Sequence, residues 1–228
     1  MRKVVKFGGS SLASAEQFKK VGNIIKADKT RKFVVPSAPG KRDSKDTKVT
    51  DMLYACYDLA ENGKKFDAEM KAIKARYQEI IDGLSLDLSL EDEFVKIAEN
   101  FKNKAGKDYA ASRGEYLNGI IMAKYLGFAF VDAAEVIVFD DNGEFASEET
   151  NEKLKKRFEK CDSAVVPGFY GAYRDGRVKT FSRGGSDVTG AIVAGVAHAD
   201  VYENWTDVPG FLVVDPRIVK DPPVIDLI

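Results

Sequence analysis

The apolar positions of this chain switch period repeatedly, from alternate residues to helical spacing and back. Lys3–Phe7 (KVVKF) is a short β-like run broken by Gly8-Gly9-Ser10-Ser11. Ser14-Ala15-Glu16-Gln17 then has the form of a capping box, and Phe18, Val21, Ile24 and Ile25 follow at helical spacing. The unit is strand, glycine turn, helix. Residues 32–35 repeat the β pattern, ending in Pro36-Ser37-Ala38 and a long charged loop over 39–48. Thr50 is expected to cap the next helix, whose stripe is Met52, Leu53, Cys56, Leu59 and Ala60.

Residues 64–105 are charged with helical periodicity, and Asp82-Gly83-Leu84-Ser85 divides them. They read as two solvent-facing helices without chemistry. Residues 110–125 predict a further helix carrying Arg113, Gly114 and Glu115. Later come strands at 128–131, 136–139 and 164–166, a helix at 148–158, and a hairpin at 173–181 centred on Asp175-Gly176. A closely packed helix of Ala, Gly and Val is expected over 188–199, then a strand over 200–205 and a turn at Pro209-Gly210. Strands alternating with helices predict an α/β domain with a largely parallel sheet, and such sheets hold ligands at the carboxyl ends of their strands.

Composition adds constraints. The chain has 228 residues, 44% hydrophobic and 31% charged, which is ordinary for a globular domain. A formal net charge of −1 argues against nucleic acid as a partner. An anionic substrate must therefore be held by a few placed cations and backbone N–H groups. Cys56 and Cys161 lie in no metal-ligand spacing and read as two buried or half-buried thiols, and His198 reads as a packed helix-end residue. No metal site is expected from these residues. No apolar run approaches the ~20 residues of a membrane span, and the start of the chain leaves no room for a signal peptide. A cytoplasmic protein with no membrane partner is expected. The apolar end, Val224-Ile225-Asp226-Leu227-Ile228, suggests a piece of something longer.

Four loops could carry chemistry. Around Gly8, Gly9 and Ser10 the backbone can approach an anion closely, and Lys6 at the strand end can reach the same anion. This is not a Walker loop, because the lysine precedes the glycines; alone it equally suits a tight turn. Arg183-Gly184-Gly185-Ser186-Asp187 is a second glycine loop before a helix. Its Arg183 presents a planar fork suited to a carboxylate, and its Asp187 could bind an ammonium or orient a lysine. A helix cap with a local Arg–Asp pair is the plainer alternative. Ser112-Arg113-Gly114-Glu115 reads in isolation as surface charge early in a helix. Trp205-Thr206-Asp207 and Asp215-Pro216-Arg217 offer a hydroxyl, a carboxylate and a guanidinium, suited to a nucleotide or to a structural loop. Together, two glycine-rich anion loops fit a substrate pair with phosphate and carboxylate ends. Phosphoryl transfer to a carboxylate needs positioning and charge neutralisation rather than a general base, so the single histidine is no objection.

At this point the chain resembles the aspartate kinases of the amino-acid kinase family. The resemblance is carried by residues 6–13 (KFGGSSLA), 34–51 with its Ser-Ala pair and Thr50-Asp51, 182–187 (SRGGSD) and 205–217 (WTDVPGFLVVDPR), with 112–115 between them. It implies a three-layer αβα sandwich with a mainly parallel central sheet, spanning 1–228 as a kinase catalytic domain. It implies L-aspartate and MgATP as partners, with ATP and Mg2+ as cofactors, and a homodimer. By the same resemblance Lys6, with Gly8, Gly9 and Ser10, would stabilise the transferring phosphoryl group. Asp187 would hold the amino group or orient Lys6. Thr50 and Glu115 would line the aspartate site, Glu115 facing the α-amino group, and Arg183 would clamp the α-carboxylate. Gly184, Gly185 and Ser186 would complete the second loop, while Thr206, Asp207 and Arg217 would contact ATP.

Two departures stand out. Leu212 occupies a position where family members often carry an aromatic residue. The family's downstream glycine-alanine-lysine segment and its ACT regulatory domains would lie beyond Ile228, so weak catalysis is expected of this piece alone. The competing readings are a family kinase acting on uridylate, glutamate or N-acetylglutamate, and a non-catalytic amino-acid-binding subunit. Arg183 with Glu115 favours a free amino acid over a nucleotide or an N-acylated acceptor.

Overall fold

The structure is a computed structural model that describes residues 1–182, 184–206, 210, 213–214, 218–223 and 225. The first unit follows its sequence pattern. Strand β1 (Lys3–Phe7) leads through a 3-10 turn at Ser10–Leu12 into helix α1 (Ala15–Ala27). The Ser14 hydroxyl accepts from the Gln17 N–H at 3.5 Å, which is the predicted cap. Then come β2 (Arg31–Pro36), α2 (Val49–Glu61), α3 (Asp67–Gly83), α4 (Glu91–Lys102) and α5 (Lys107–Leu126). The second half holds β3 (Ala129–Phe130), α6 (Ala133–Val136), β4 (Val138–Phe139), α7 (Ser147–Phe158), β5 (Ala164–Val165), β6 (Tyr170–Tyr173), β7 (Val178–Thr180), α8 (Gly185–Val196) and β8 (Val201–Trp205).

The main sheet has the order β3-β5-β2-β1-β8, and every pairing in it is parallel. A three-stranded sheet, β4-β6-β7, contains the predicted hairpin, with Gly176 at φ 88° in its turn. Period-2 alternation divides the main sheet between two cores. Val5, Phe7, Val34 and Val165 face a layer made of α1 to α5, whereas Val4, Phe33, Val35, Ala164 and Val166 face α6, α7, α8 and the small sheet. Helices therefore cover both faces, and the three-layer αβα sandwich is the observed fold.

Several expectations need correction. Helices α3 and α4 are not merely solvent-facing. Met70, Ile73, Tyr77 and Ile80 of α3, with Phe94, Ile97 and Phe101 of α4, are buried in the core, where each such side chain contributes roughly 1.5–3 kcal/mol. Apart from the buried Arg76, their charges occupy the outer faces, and this arrangement hid the inner stripe. Thr50 is not a cap, because α2 begins at Val49 with Lys48 at the cap position. The strand expected over 136–139 is shortened to Val138–Phe139, because Asp132 accepts from the Ala134 N–H and starts α6, which takes Val136. Helix α8 starts at Gly185, three residues ahead of the predicted start, behind a left-handed Gly184 (φ 56°) that no β-carbon hinders. His198 follows α8 in the left-handed region (φ 47°) and is exposed rather than packed.

Candidate active site

Lys6 shares its face of β1 with Val4, so it points towards α8. There its Nζ lies 2.7 Å from Oδ1 of Asp187, in the first turn of that helix. The same carboxylate oxygen accepts from Asn204 Nδ2 at 3.1 Å. Asn204 is the β8 partner of Lys6 in register, so two neighbouring strands deliver their side chains to one acid. Lys6 is 9% exposed while its carboxylate partner is half-buried, so the pair opens outward on the Asp187 side.

The glycine loop after β1 is held by backbone contacts. Gly8 N–H donates to the Trp205 carbonyl at 3.3 Å, and the Gly9 carbonyl accepts from Gly40 N–H at 2.8 Å. A β-carbon on Gly9 would lie 2.8 Å from the Ala38 carbonyl oxygen, and one on Gly40 would lie 2.7 Å from the Gly9 carbonyl carbon. Both glycines are thus required by close approach of two loops. Ser10 is exposed at the start of the 3-10 turn.

The second glycine loop joins at the same strand ends. Ser186 Oγ lies 3.0 Å from Ser37 Oγ, in the loop after β2. Gly168 leaves room for Ser186, since a β-carbon there would sit 2.6 Å from the hydroxyl, and Gly185 is buried against Phe169. Thr50 lies beside α5, its Oγ1 3.7 Å from where a β-carbon on Gly114 would be. Thr206 directly follows β8 and is exposed. Arg183, Asp207 and Arg217, expected as carboxylate clamp and nucleotide contacts, lie outside the described residues, as does Leu212.

Glu115 is neither early in its helix nor on the surface. Helix α5 starts at Lys107 and is buried nearly all round, with Ser112, Arg113, Gly114, Glu115 and Asn118 among its buried residues. Burial pushes the Glu115 carboxyl up to about 7, against the opposing pull of a hydrogen bond from the Ala38 backbone N–H. Its Oε2 has no partner among the described residues. The Arg113 guanidinium lies over aromatic rings, 4.6 Å from the centre of Tyr109 and 4.3 Å from that of Tyr116, with Ser112 Oγ accepting from its Nε at 3.1 Å.

Three contributors went unseen in the sequence. Asn118 donates from Nδ2 to the Ser37 carbonyl at 2.6 Å; its signal was a polar residue one turn beyond Glu115. Asn204 carried a weaker signal, as a polar residue in register with a lysine. Arg76, in the segment read as chemically silent, sends its guanidinium to the Gly40 carbonyl at 2.8 Å and to Asp46 at 2.9 Å. Nothing in the local pattern marks it out. Cavity size does not locate the site either: a cavity of about 410 Å3 lies between α3 and α4, lined by Phe66, Met70 and Phe94.

A parallel αβα sheet with two glycine loops, a lysine–aspartate pair and a buried acid near its strand ends defines an α/β protein. The sequence profile of the amino acid kinase family matches residues 1–228, and the chain belongs to that family. Aspartokinase 3 of Bacillus subtilis is 40% identical over 237 residues, covering 96% of this chain and 52% of that protein. The crystal structure of Clostridium acetobutylicum aspartate kinase superposes with a TM-score of 0.91 at 55% identity, covering 96% of this chain and 51% of that one. Aspartokinase III of E. coli, in complex with aspartate and ADP, superposes with a TM-score of 0.81 at 27% identity over 99% of this chain and 54% of its own. The chain thus spans about half the length of these relatives.

Proposed function

We propose that this chain binds MgATP and L-aspartate and transfers the γ-phosphoryl group to the aspartate side-chain carboxylate, giving 4-phospho-L-aspartate and ADP. The observation that carries the reading is the Lys6–Asp187 pair, set between the glycine loop after β1 and the glycine loop that opens α8. The similarity to aspartokinases along nearly the whole chain supports it. A carboxylate oxygen attacks the γ-phosphorus in line as the bond to the ADP oxygen breaks. The acceptor is already ionised at neutral pH, so no base is required.

In this reading Lys6 and the N–H groups around Gly8, Gly9 and Ser10 neutralise the moving phosphoryl charge, and Asp187 orients Lys6. Gly184, Gly185 and Ser186 form the opposite wall. Thr50, Glu115 and Arg183 hold aspartate, and Thr206, Asp207 and Arg217 serve the nucleotide. Among the described residues no cluster of three His, Cys, Asp or Glu side chains can hold a metal. Mg2+ would therefore arrive on the nucleotide phosphates, whose charge it neutralises. A cytoplasmic homodimer completes the reading, which sedimentation of the chain tests for the dimer.

The decisive measurement is ligand-induced thermal stabilisation with L-aspartate, L-glutamate, N-acetylglutamate and UMP, each with and without MgATP, followed by hydroxylamine trapping of acyl phosphate. Stabilisation by aspartate together with aspartyl hydroxamate supports the proposal. Selective stabilisation by another acceptor moves the chain elsewhere in the family, and stabilisation by aspartate without hydroxamate supports aspartate binding but not turnover by this chain on its own.

A further inference from the structure

Two buried acceptors on α5 have no donor among the described residues. Glu115 Oε2 and Asn118 Oδ1 lack a hydrogen-bond partner among the described residues, although Glu115 is only 6% exposed and Asn118 is fully buried. The two residues are three apart on a helix and therefore share a face. Their remaining polar atoms are committed to consecutive residues of one loop: the Ala38 N–H bonds the Glu115 carboxylate, and Asn118 Nδ2 donates to the Ser37 carbonyl at 2.6 Å. The latter contact also sets the sense of the amide, because rotating it would press Oδ1 against a carbonyl oxygen.

Burying an acceptor without a donor is costly, and native proteins rarely do it. Two such oxygens on successive turns, beside the loop that follows β2, call for a ligand that brings several donors. Glu115 supplies charge to this pair, and Asn118 supplies a direction. An ammonium carries three N–H groups, whereas the amide of an N-acylated amino acid carries one. Water, which carries two, is the competing occupant.

We propose that Asn118 is a specificity-determining residue, its Oδ1 forming with Glu115 Oε2 a paired acceptor that receives a primary ammonium group, one N–H to each oxygen. This rests on the reading above, in which the acceptor substrate is a free amino acid, and adds to it the second acceptor and the resulting selection against N-acylated or deaminated analogues.

The test is calorimetric binding of L-aspartate and of succinate, the same dicarboxylate without the amino group, to the full chain, to Asn118→Leu and to Asn118→Asp. The Leu variant loses both the acceptor and the bond to Ser37. The Asp variant keeps the acceptor, loses that bond, turns an oxygen towards the Ser37 carbonyl and adds a second acidic group beside Glu115. The preference for aspartate over succinate is expected to fall about tenfold or more in Asn118→Leu, as for loss of a hydrogen bond to a charged group. In Asn118→Asp it is expected not to fall, because the acceptor survives and an added acidic group favours an ammonium. If Asn118→Leu does not fold, Asn118→Ala takes its place with the same expected loss. An unchanged preference in the Leu or Ala variant, with both ligands weakened equally, overturns the inference and leaves Asn118 as a brace for the Ser37 loop. Equal loss in the Asp variant overturns it in the same way. An unsubstituted chain that does not prefer aspartate removes the amino-acid reading itself, and the inference with it, before any variant is made.

Discussion

The Lys6 ammonium is 2.7 Å from Oδ1 of Asp187, and that oxygen also accepts from Asn204. Among the described residues Asp187 is the ion-pair partner that fixes one polar direction of this lysine. Lys6→Met is expected to lower kcat for phosphoryl transfer by about a hundredfold or more while changing the KM for aspartate far less, because a charge aimed at the transition state is lost. Steady-state kinetics with aspartate varied at saturating MgATP checks this. Near-normal turnover would remove Lys6 from the chemistry. Asp187→Asn, which keeps the shape but frees the lysine, is expected to fall between Lys6→Met and the unsubstituted chain.

Glu115 makes stability and binding depend on pH in opposite senses. Its carboxyl titrates near 7 in the folded chain, raised by burial from an ordinary 4.5. Between those values the folded state holds the proton that the unfolded state has released, so stability falls as pH rises across that window. The contribution is absent below the unfolded value and complete above about 7, with an upper size of roughly 3 kcal/mol. Glu115→Gln should therefore gain stability relative to the unsubstituted chain when chemical denaturation is compared at pH 8 and at pH 4.5. An ammonium ligand prefers the ionised acid, so aspartate affinity should rise several-fold from pH 6 to pH 8. A flat binding profile would count against contact between Glu115 and the amino group.

Arg76 braces the glycine loop from a distance. Its buried guanidinium bonds the Gly40 carbonyl and Asp46, and Gly40 N–H in turn bonds the Gly9 carbonyl. Arg76→Met removes one partner of a buried ion pair. Because Arg42 also bonds Asp46 at 2.9 Å, the expected cost lies below the usual 3–5 kcal/mol, at about 2 kcal/mol in urea unfolding. Nucleotide affinity should weaken along with stability. Gly40→Ala, which places a β-carbon 2.8 Å from Ser10 N, should lower turnover more than it lowers the melting temperature.

Trp205 is the single tryptophan, and it closes β8 one residue before Thr206. Its indole N–H donates to Glu203 Oε2 at 2.9 Å and its ring stacks 6.0 Å from Phe7. MgATP titration is expected to change its emission saturably if the loop it precedes engages the nucleotide. An unchanged spectrum alongside calorimetrically detected binding would separate the nucleotide from this strand end.

What the sequence determined by itself was local. Period-2 and helical spacing placed β1, α1, β2, α5, α7 and β8 close to their observed bounds, since each buries a face whose rhythm is written in adjacent residues. Glycine loops with a lysine before one and an aspartate after the other were legible for the same reason. Tertiary structure decided what depends on neighbours distant in sequence. It buried α3, α4 and Glu115, because an element's surroundings are not encoded in its own charges. It joined Lys6 to Asp187 and Asn204 across two strands and a helix, because parallel register brings together residues some two hundred apart in the chain. Among the described residues it left Asn118 Oδ1 and Glu115 Oε2 without donors, a fact that exists only once the chain has closed around them.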